Sequence, residues 1–332
     1  MQKFLVIQTA FIGDVVLATA LVEKLAQYYP EAEIDFLVRK GNESLLQNNP
    51  HLHEVLIWNK KEKKIKNLFA VLSQIRKNKY DKVINLQRFF ATGLLTAFSG
   101  AEESVGFDKN PLSFLFSTKV RHVISKENGI KHEVERNNDL IRSFTDDVFN
   151  RPKMYPSAND ISAIEPYTSG PYVTMTPGSV WFTKQYPVNK WIELISNFPK
   201  AYTICLLGGK ENMAECEHIK ASAANSNVLV LAGKLSFLQS AALMKSASMN
   251  YVNDSAPLHF ASAVNAPVTA LFCSTVPAFG FTPLSDRSFV IETEEHLSCR
   301  PCGLHGHKAC PQQHFKCALT IDTKRLIETL EK

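Results

Sequence analysis

Residues 4–30 read FLVIQTAFIGDVVLATALVEKLAQYYP, and their order decides the fold. Phe4, Leu5, Val6 and Ile7 are apolar without alternation, which is expected of a parallel strand covered on both faces. The loop Thr9-Ala10-Phe11-Ile12-Gly13-Asp14 then opens a helix over residues 15–29, and Pro30 ends it. The unit recurs downstream. Residues 34–38, 55–58 and 82–86 are further strands, with a helix over 68–76 between the last two. Strands alternating with helices predict an α/β doubly wound sheet.

Around residues 145–170 the periodicity lapses into Pro-, Ser- and Asn-containing text, expected to be a linker. The pattern restarts at Tyr172-Val173-Thr174-Met175. Strands at 203–207, 228–231, 249–252 and 268–272 follow. The expectation is therefore two doubly wound domains with a cleft between them, over residues 1–155 and 168–320, with a closing amphipathic helix at 321–332. The chain has 332 residues, a length that suits two domains. Ligands of such sheets bind beyond the C-terminal ends of the strands, so the loops there are where chemistry is sought.

Composition narrows the classes. The chain is 45% hydrophobic and 21% charged, which excludes disordered, collagen-like and coiled-coil proteins. Its 37 Lys and Arg against 32 Asp and Glu leave +5. That excess suits an anionic small molecule or a membrane surface, and is too scattered to argue for nucleic acid. No run of roughly 18 apolar residues occurs. The N-terminus lacks a small-residue cleavage site, and Asp14 interrupts the apolar run, so a buried first strand is expected rather than a signal peptide. Seven cysteines is an odd number, and Cys205, Cys216 and Cys273 sit in apolar or helical text, as reduced thiols of a cytosolic protein do.

Four loops carry residue types suited to chemistry. In the first, Gly13 permits a tight turn and Asp14 either caps the helix or stands as a carboxylate able to take a proton from a hydroxyl. It is not a GxGxxG loop, which argues against a dinucleotide oxidoreductase. The second, Thr176-Pro177-Gly178-Ser179, leads to Lys184, which is either a solvated lysine or a counter-charge for a departing diphosphate. In the third, Asn253-Asp254-Ser255-Ala256-Pro257-Leu258-His259 opens a helix rich in small residues, where Pro257 in the first turn costs little. Its free N–H groups and positive dipole end suit a diphosphate, and His259 is either a packed residue or a ligand contact. The fourth, Gly208-Gly209, lets backbone approach a base or ribose, with Glu211 or Glu215 as acceptor of ribose hydroxyls.

In this order and spacing the loops resemble glycosyltransferase family nine, the bacterial heptosyltransferases of lipopolysaccharide core assembly. IGDVVLATALVEKLAQYYP (12–30) is similar to that family's opening block, PGSVWFTKQYPVNKW (177–191) to its Lys-x-Trp-Pro donor loop, and NDSAPLHFASAVNAPVTALF (253–272) to its NDSGP-x-H block. The cysteine-containing tail, CRPCGLHGHKACPQQHFKC (299–317), also resembles segments of many members. The departures are Gln8, Thr9, Ala10 and Phe11 before the first block, Tyr186 for a Trp and Ala256 for a Gly.

The resemblance implies a GT-B fold: two Rossmann-like domains, acceptor in the first and nucleotide-sugar donor mainly in the second. It implies inverting transfer without a metal cofactor, from ADP-L-glycero-D-manno-heptose to a Kdo/heptose-lipid A acceptor. Asp14 would be the general base and Lys184 would stabilise the diphosphate. Asp254 would contact the donor sugar, with Ser255, Ala256 and His259 near the diphosphate. Thr176, Gly178 and Ser179 would line the donor loop, and Gly208, Gly209 and Glu211 the nucleoside. A GT-B transferase with another sugar nucleotide or glycan acceptor is the alternative.

The run Asn59-Lys60-Lys61-Glu62-Lys63-Lys64 is a solvated loop by default. In a lipid A-modifying enzyme its lysines, Lys60 and Lys64 among them, could bind acidic sugars, phosphates or anionic headgroups with Gly13, Arg88, Lys119 and Arg121. That predicts peripheral contact with the cytoplasmic face of the inner membrane. Cys299, Cys302, Cys310 and Cys317 are spaced C-x2-C-x7-C-x6-C. Reduced packed thiols are the leading reading, with structural zinc and disulfides as alternatives. A zinc-bearing nucleic-acid binder, the reading from another class, leaves Asp14 and the Asp254 helix start without a role.

Overall fold

The computed structural model describes residues 2–126 and 129–332, in two compact units, Met1–Tyr155 and Pro156–Lys332. The first runs β1 (Lys3–Ile7), α1 (Ile12–Tyr28), β2 (Glu33–Arg39), β3 (Glu54–Trp58), α2 (Lys64–Asn78), β4 (Lys82–Asn85), α3 (Phe90–Ala97), β5 (Glu103–Phe107) and β6 (Thr118–Val120). A short ribbon, β7 (Ser125–Lys126) with β8 (Gly129–Ile130), and α4 (Glu133–Asp139) follow. The six-stranded sheet has the order β3-β2-β1-β4-β5-β6, and every pair in it is parallel. Phe4 pairs with Ile34 on one side and Lys82 on the other, so the order reverses at β1/β4 and opens a crevice beyond their C-terminal ends.

The apolar run of β1 is buried throughout, as a strand with helices on both faces must be. Leu5 and Ile7 join Leu37, Leu56, Trp58 and Val83 under Leu68, Val71, Leu72 and Ile75 of α2. Each such side chain contributes about 2 kcal/mol by leaving water. α1 starts at Ile12, earlier than the sequence pattern indicates, because Asp14 occupies the third helical position and accepts the Phe11 N–H at 3.0 Å. Asp14 thus closes the first turn from inside rather than serving as N-cap.

The second unit opens with α5 (Ala158–Ile164) and continues β9 (Tyr172–Thr176), α6 (Val188–Asn197), β10 (Thr203–Leu206), α7 (Met213–Ser222), β11 (Val228–Val230) and α8 (Phe237–Ser246). It is completed by β12 (Asn250–Asn253), α9 (Ala256–Ala263), β13 (Val268–Phe272), β14 (Ser288–Glu292), α10 (Lys316–Leu319) and α11 (Thr323–Glu328). The sheet order β11-β10-β9-β12-β13-β14 repeats that of the first unit, again all parallel. Residues 156–167 are not a bare linker. Ser157 accepts the Asp160 N–H at 3.2 Å, Asp160 returns the bond to the Ser157 N–H at 2.9 Å, and the resulting α5 packs on α8. The closing helix is shorter than the 321–332 expected, because Asp322 caps it at Lys324 N–H. Among the described residues, no helix is long and apolar enough to cross a membrane.

Candidate active site

Each unit carries one constellation beyond its strand ends. In the first unit the β1–α1 loop is stitched down by side chains. Thr9 donates its hydroxyl to Gln87 Oε1 at 2.6 Å, and the Lys60 ammonium donates to the Thr9 carbonyl and hydroxyl, both at 2.8 Å. Lys60 also lies over the Trp58 ring, 4.6 Å from its centre. Burial, then Arg39 and Lys64, bring its pKa down to about 8. Gly13 is buried in the first turn of α1, and Asp14 beside it is half-buried.

Around Asp14 the tertiary structure adds residues that the sequence pattern does not flag. Glu133, in the first turn of α4, is raised by burial, and Asp14 is among the charges acting on it. The buried Arg136 holds it: Nε and Nη2 each lie 2.7 Å from Glu133 Oε2, and Nη1 donates to the Ile124 and Lys131 carbonyls. Arg88 acts on Glu133 and also on His122, whose pKa burial, Arg88 and Arg136 hold down at about 4. His122 is therefore neutral at physiological pH. Lys64, Arg88 and Arg121 are exposed. Lys64 reaches Lys60 electrostatically. No sequence motif pointed to Glu133, His122 or Arg136, because they come from distant text and meet only through the packing of α4 on α1.

In the second unit, Lys184 Nζ lies 2.7 Å from Asp254 Oδ2, and the Thr275 hydroxyl donates to the same oxygen at 2.6 Å. Both are held from below. Asn253 accepts the Tyr186 N–H at 2.9 Å and donates to the Pro177 carbonyl at 2.6 Å, tying the Lys184 loop to the end of β12. Tyr186 is buried edge-on against Trp191. Thr176 is buried, and its hydroxyl has no hydrogen-bond partner among the described residues. Gly178 and Gly208 flank Asn212: a Cβ at Gly178 would lie 2.4 Å from its Nδ2, and one at Gly208 2.8 Å from its Cβ. Gly209 donates to Asn212 Oδ1 at 3.1 Å, and Glu211 folds back over Gly209. Ser179, Ser255 and Ala256 are half-buried, and Ser255 is N-cap of α9 by position without a side-chain cap bond. His259 is buried, with its ring 6.2 Å from that of Phe281.

The cysteine segment walls this loop. The Thr183 hydroxyl accepts the His307 N–H at 2.7 Å, Thr183 N–H donates to the His307 carbonyl at 3.1 Å, and Phe182 stacks on Phe315. Gly306, at φ +77°, packs so closely that a Cβ would lie 2.9 Å from Thr183 Oγ1 and 3.2 Å from Lys184 Cγ. Arg300 fastens the segment to β13 by donating to the Phe272, Cys273 and Thr275 carbonyls. All seven cysteines are free. Cys299, Cys302, Cys310 and Cys317 line one cavity of about 20 Å³ with His314. Among the described residues no three His, Cys, Asp or Glu side chains are placed to hold a metal ion.

The two parallel sheets share one Rossmann-type strand order, and each gathers polar side chains at its strand ends. Residues 68–312 match the model of glycosyltransferase family 9 (heptosyltransferase). The chain belongs to that family. It is a glycosyltransferase enzyme with the GT-B fold. It is 29% identical to lipopolysaccharide heptosyltransferase 3 of Escherichia coli over 80% of this chain and 82% of that protein. Among solved structures it resembles the ADP-heptose lps heptosyltransferase II of E. coli, with TM-score 0.81 and 23% identity over 99% of this chain and 98% of that one. E. coli heptosyltransferase WaaC with ADP superposes at TM-score 0.75 and 17% identity, covering 99% of each chain.

Proposed function

We propose that this family-nine chain transfers a heptose from ADP-L-glycero-D-manno-heptose to a lipopolysaccharide inner-core acceptor, in the cytoplasm and at the inner-membrane surface. The match of residues 68–312 to the heptosyltransferase family carries the reading. The names of the similar proteins, with ADP and ADP-heptose among them, support the choice of donor.

In the proposed reaction the acceptor hydroxyl oxygen attacks the anomeric carbon, the bond from that carbon to the diphosphate breaks, and ADP leaves with the electron pair. The configuration inverts. The hydroxyl proton passes to the Asp14 carboxylate, which the Phe11 N–H orients. Lys60 and Arg88, beside that loop, meet the anionic acceptor. Lys184 leaves Asp254 to neutralise the departing diphosphate, which a cation on a positioned side chain does without a metal cofactor. Asp254 then receives the donor sugar. The N-terminus of α9 with Ser255, Ala256 and His259 lies at the diphosphate, Thr176, Gly178 and Ser179 line the donor loop, and Gly208, Gly209 and Glu211 flank the nucleoside.

The test is a thermal-shift panel of ADP-, UDP- and GDP-linked sugars, followed by transfer to a core acceptor lacking heptose. Stabilisation by ADP-heptose with product formation is expected. A shift confined to UDP or GDP sugars would move the chain to the alternative, a transferase of the same fold with another donor.

A further inference from the structure

Residues 60–79 hold eight Lys and Arg against the single Glu62, a net +7. The whole chain carries +5, so the remainder is −2. The positive charge of this protein is therefore not scattered, as composition alone suggests, but a local feature concentrated on α2 and the turn that leads into it. α2 itself contains no acidic residue.

The apolar stripe of the helix is also wider than its contact with the sheet. Leu68, Val71, Leu72 and Ile75 are buried against the sheet. At the edge of that stripe, beside Leu68 and Leu72, Ile65 is 70% and Phe69 55% exposed. They are one turn apart, so they form a continuous outward ridge. Lys61, Lys63, Lys66, Arg76 and Lys77 are exposed around it. Apolar side chains in the middle of a basic collar are the composition of a helix that lies in a membrane interface, its lysines on anionic headgroups and its ridge among the upper acyl carbons. Duplex phosphates would use the lysines but not the ridge.

The placement of α2 adds a reason. The turn before it carries Lys60, which reaches inward to Thr9 in the loop that ends at Asp14. We infer that α2 is the membrane-docking element, with Ile65 and Phe69 inserting into a bilayer surface rich in anionic lipid and the lysines around them holding its headgroups. Docking there sets the Asp14 loop beside the headgroup layer. The choice of a lipid partner rests on the proposed function; the residues do not.

The experiment is co-sedimentation of the full chain with phosphatidylcholine vesicles, with and without phosphatidylglycerol. Binding is expected only to the anionic vesicles, and Lys61→Glu with Lys66→Glu should reduce it by at least about tenfold. Ile65→Gln with Phe69→Gln should remove the bound fraction that survives high salt while leaving the melting curve unchanged, since both side chains are exposed. Phe69→Trp should show a blue-shifted emission on binding. Absence of vesicle binding, binding indifferent to both pairs of substitutions, or an unmoved Phe69→Trp emission overturns the inference. So does displacement from vesicles by a duplex oligonucleotide at equal charge, which would make nucleic acid the partner. Vesicle docking by a chain that transfers no heptose overturns the function and leaves this inference standing. Full transfer without docking does the reverse.

Discussion

Lys184 and Asp254 meet at 2.7 Å from two loops, one after β9 and one after β12. The meeting is a consequence of topology, since β9 and β12 are parallel neighbours and their C-terminal ends open side by side. Asp254 is shielded from water and keeps Thr275 as its other partner, so the cation is what balances its charge.

Removing the cation alone should therefore cost more than removing both charges. Lys184→Met is expected to lose about 3 kcal/mol of unfolding free energy, because it strands a buried carboxylate. Asp254→Asn in the same background should recover most of it. Urea unfolding of the two single variants and the double variant measures the coupling. Strictly additive losses would show that the pair is not coupled.

Asp14→Asn should lower kcat by about two to four orders of magnitude while leaving the affinity for ADP unchanged. Asparagine keeps an oxygen for the Phe11 N–H but cannot hold the proton. Steady-state kinetics with a titration of ADP checks it, and full activity in the variant removes Asp14 from the role of base.

Lys60 should make acceptor affinity pH-dependent. Its pKa is lowered to about 8 by burial and by Arg39 and Lys64. It is fully charged well below that value and loses its proton as pH rises through it. The KM for acceptor should then climb above pH 8, and Lys60→Arg should carry the low-KM range to higher pH. A KM profile flat across pH 7–9 in the parent chain would exclude Lys60 from acceptor binding.

Gly306→Ala should act on the donor loop from outside it. The residue sits at φ +77° and a Cβ would press on Thr183 Oγ1, so about 1–2 kcal/mol of stability should go. The ADP-induced thermal shift should shrink as the loop carrying Lys184 moves. An unchanged shift would mean that the wall of cysteine-rich chain does not position Lys184.

Chelation should leave transfer intact. The reading of the four thiols as reduced and packed predicts an unchanged rate after EDTA and less than one equivalent of zinc or iron on elemental analysis. One metal per chain would replace that reading.

Two parallel sheets, and the loops at their strand ends, were legible in the text because a fully covered strand is apolar at nearly every position, as residues 4–7 are throughout and 268–272 are apart from Thr269. The places of Asp14, Lys184 and Asp254 were legible for a related reason: Asp254 follows β12 directly, Lys184 lies in the loop after β9 and Asp14 in the first turn of α1 after β1, and the chain beyond strand ends in such sheets faces the crevice. Local sequence could not show that Ala158–Ile164 folds as α5, since a helix of two turns capped by Ser157 carries too few apolar positions for a clear period. Nor could it show Glu133, held by Arg136, within reach of the Asp14 charge, or Gly306 against Lys184. Those contacts join residues far apart in the chain, and only the packing of whole elements brings their side chains within reach. The amino-acid order determined which elements form and which residues stand at their ends. Tertiary structure decided which of those residues share a charge, a hydrogen bond or a wall, because such interactions fall off within a few ångströms while the chain between the partners runs for tens of residues.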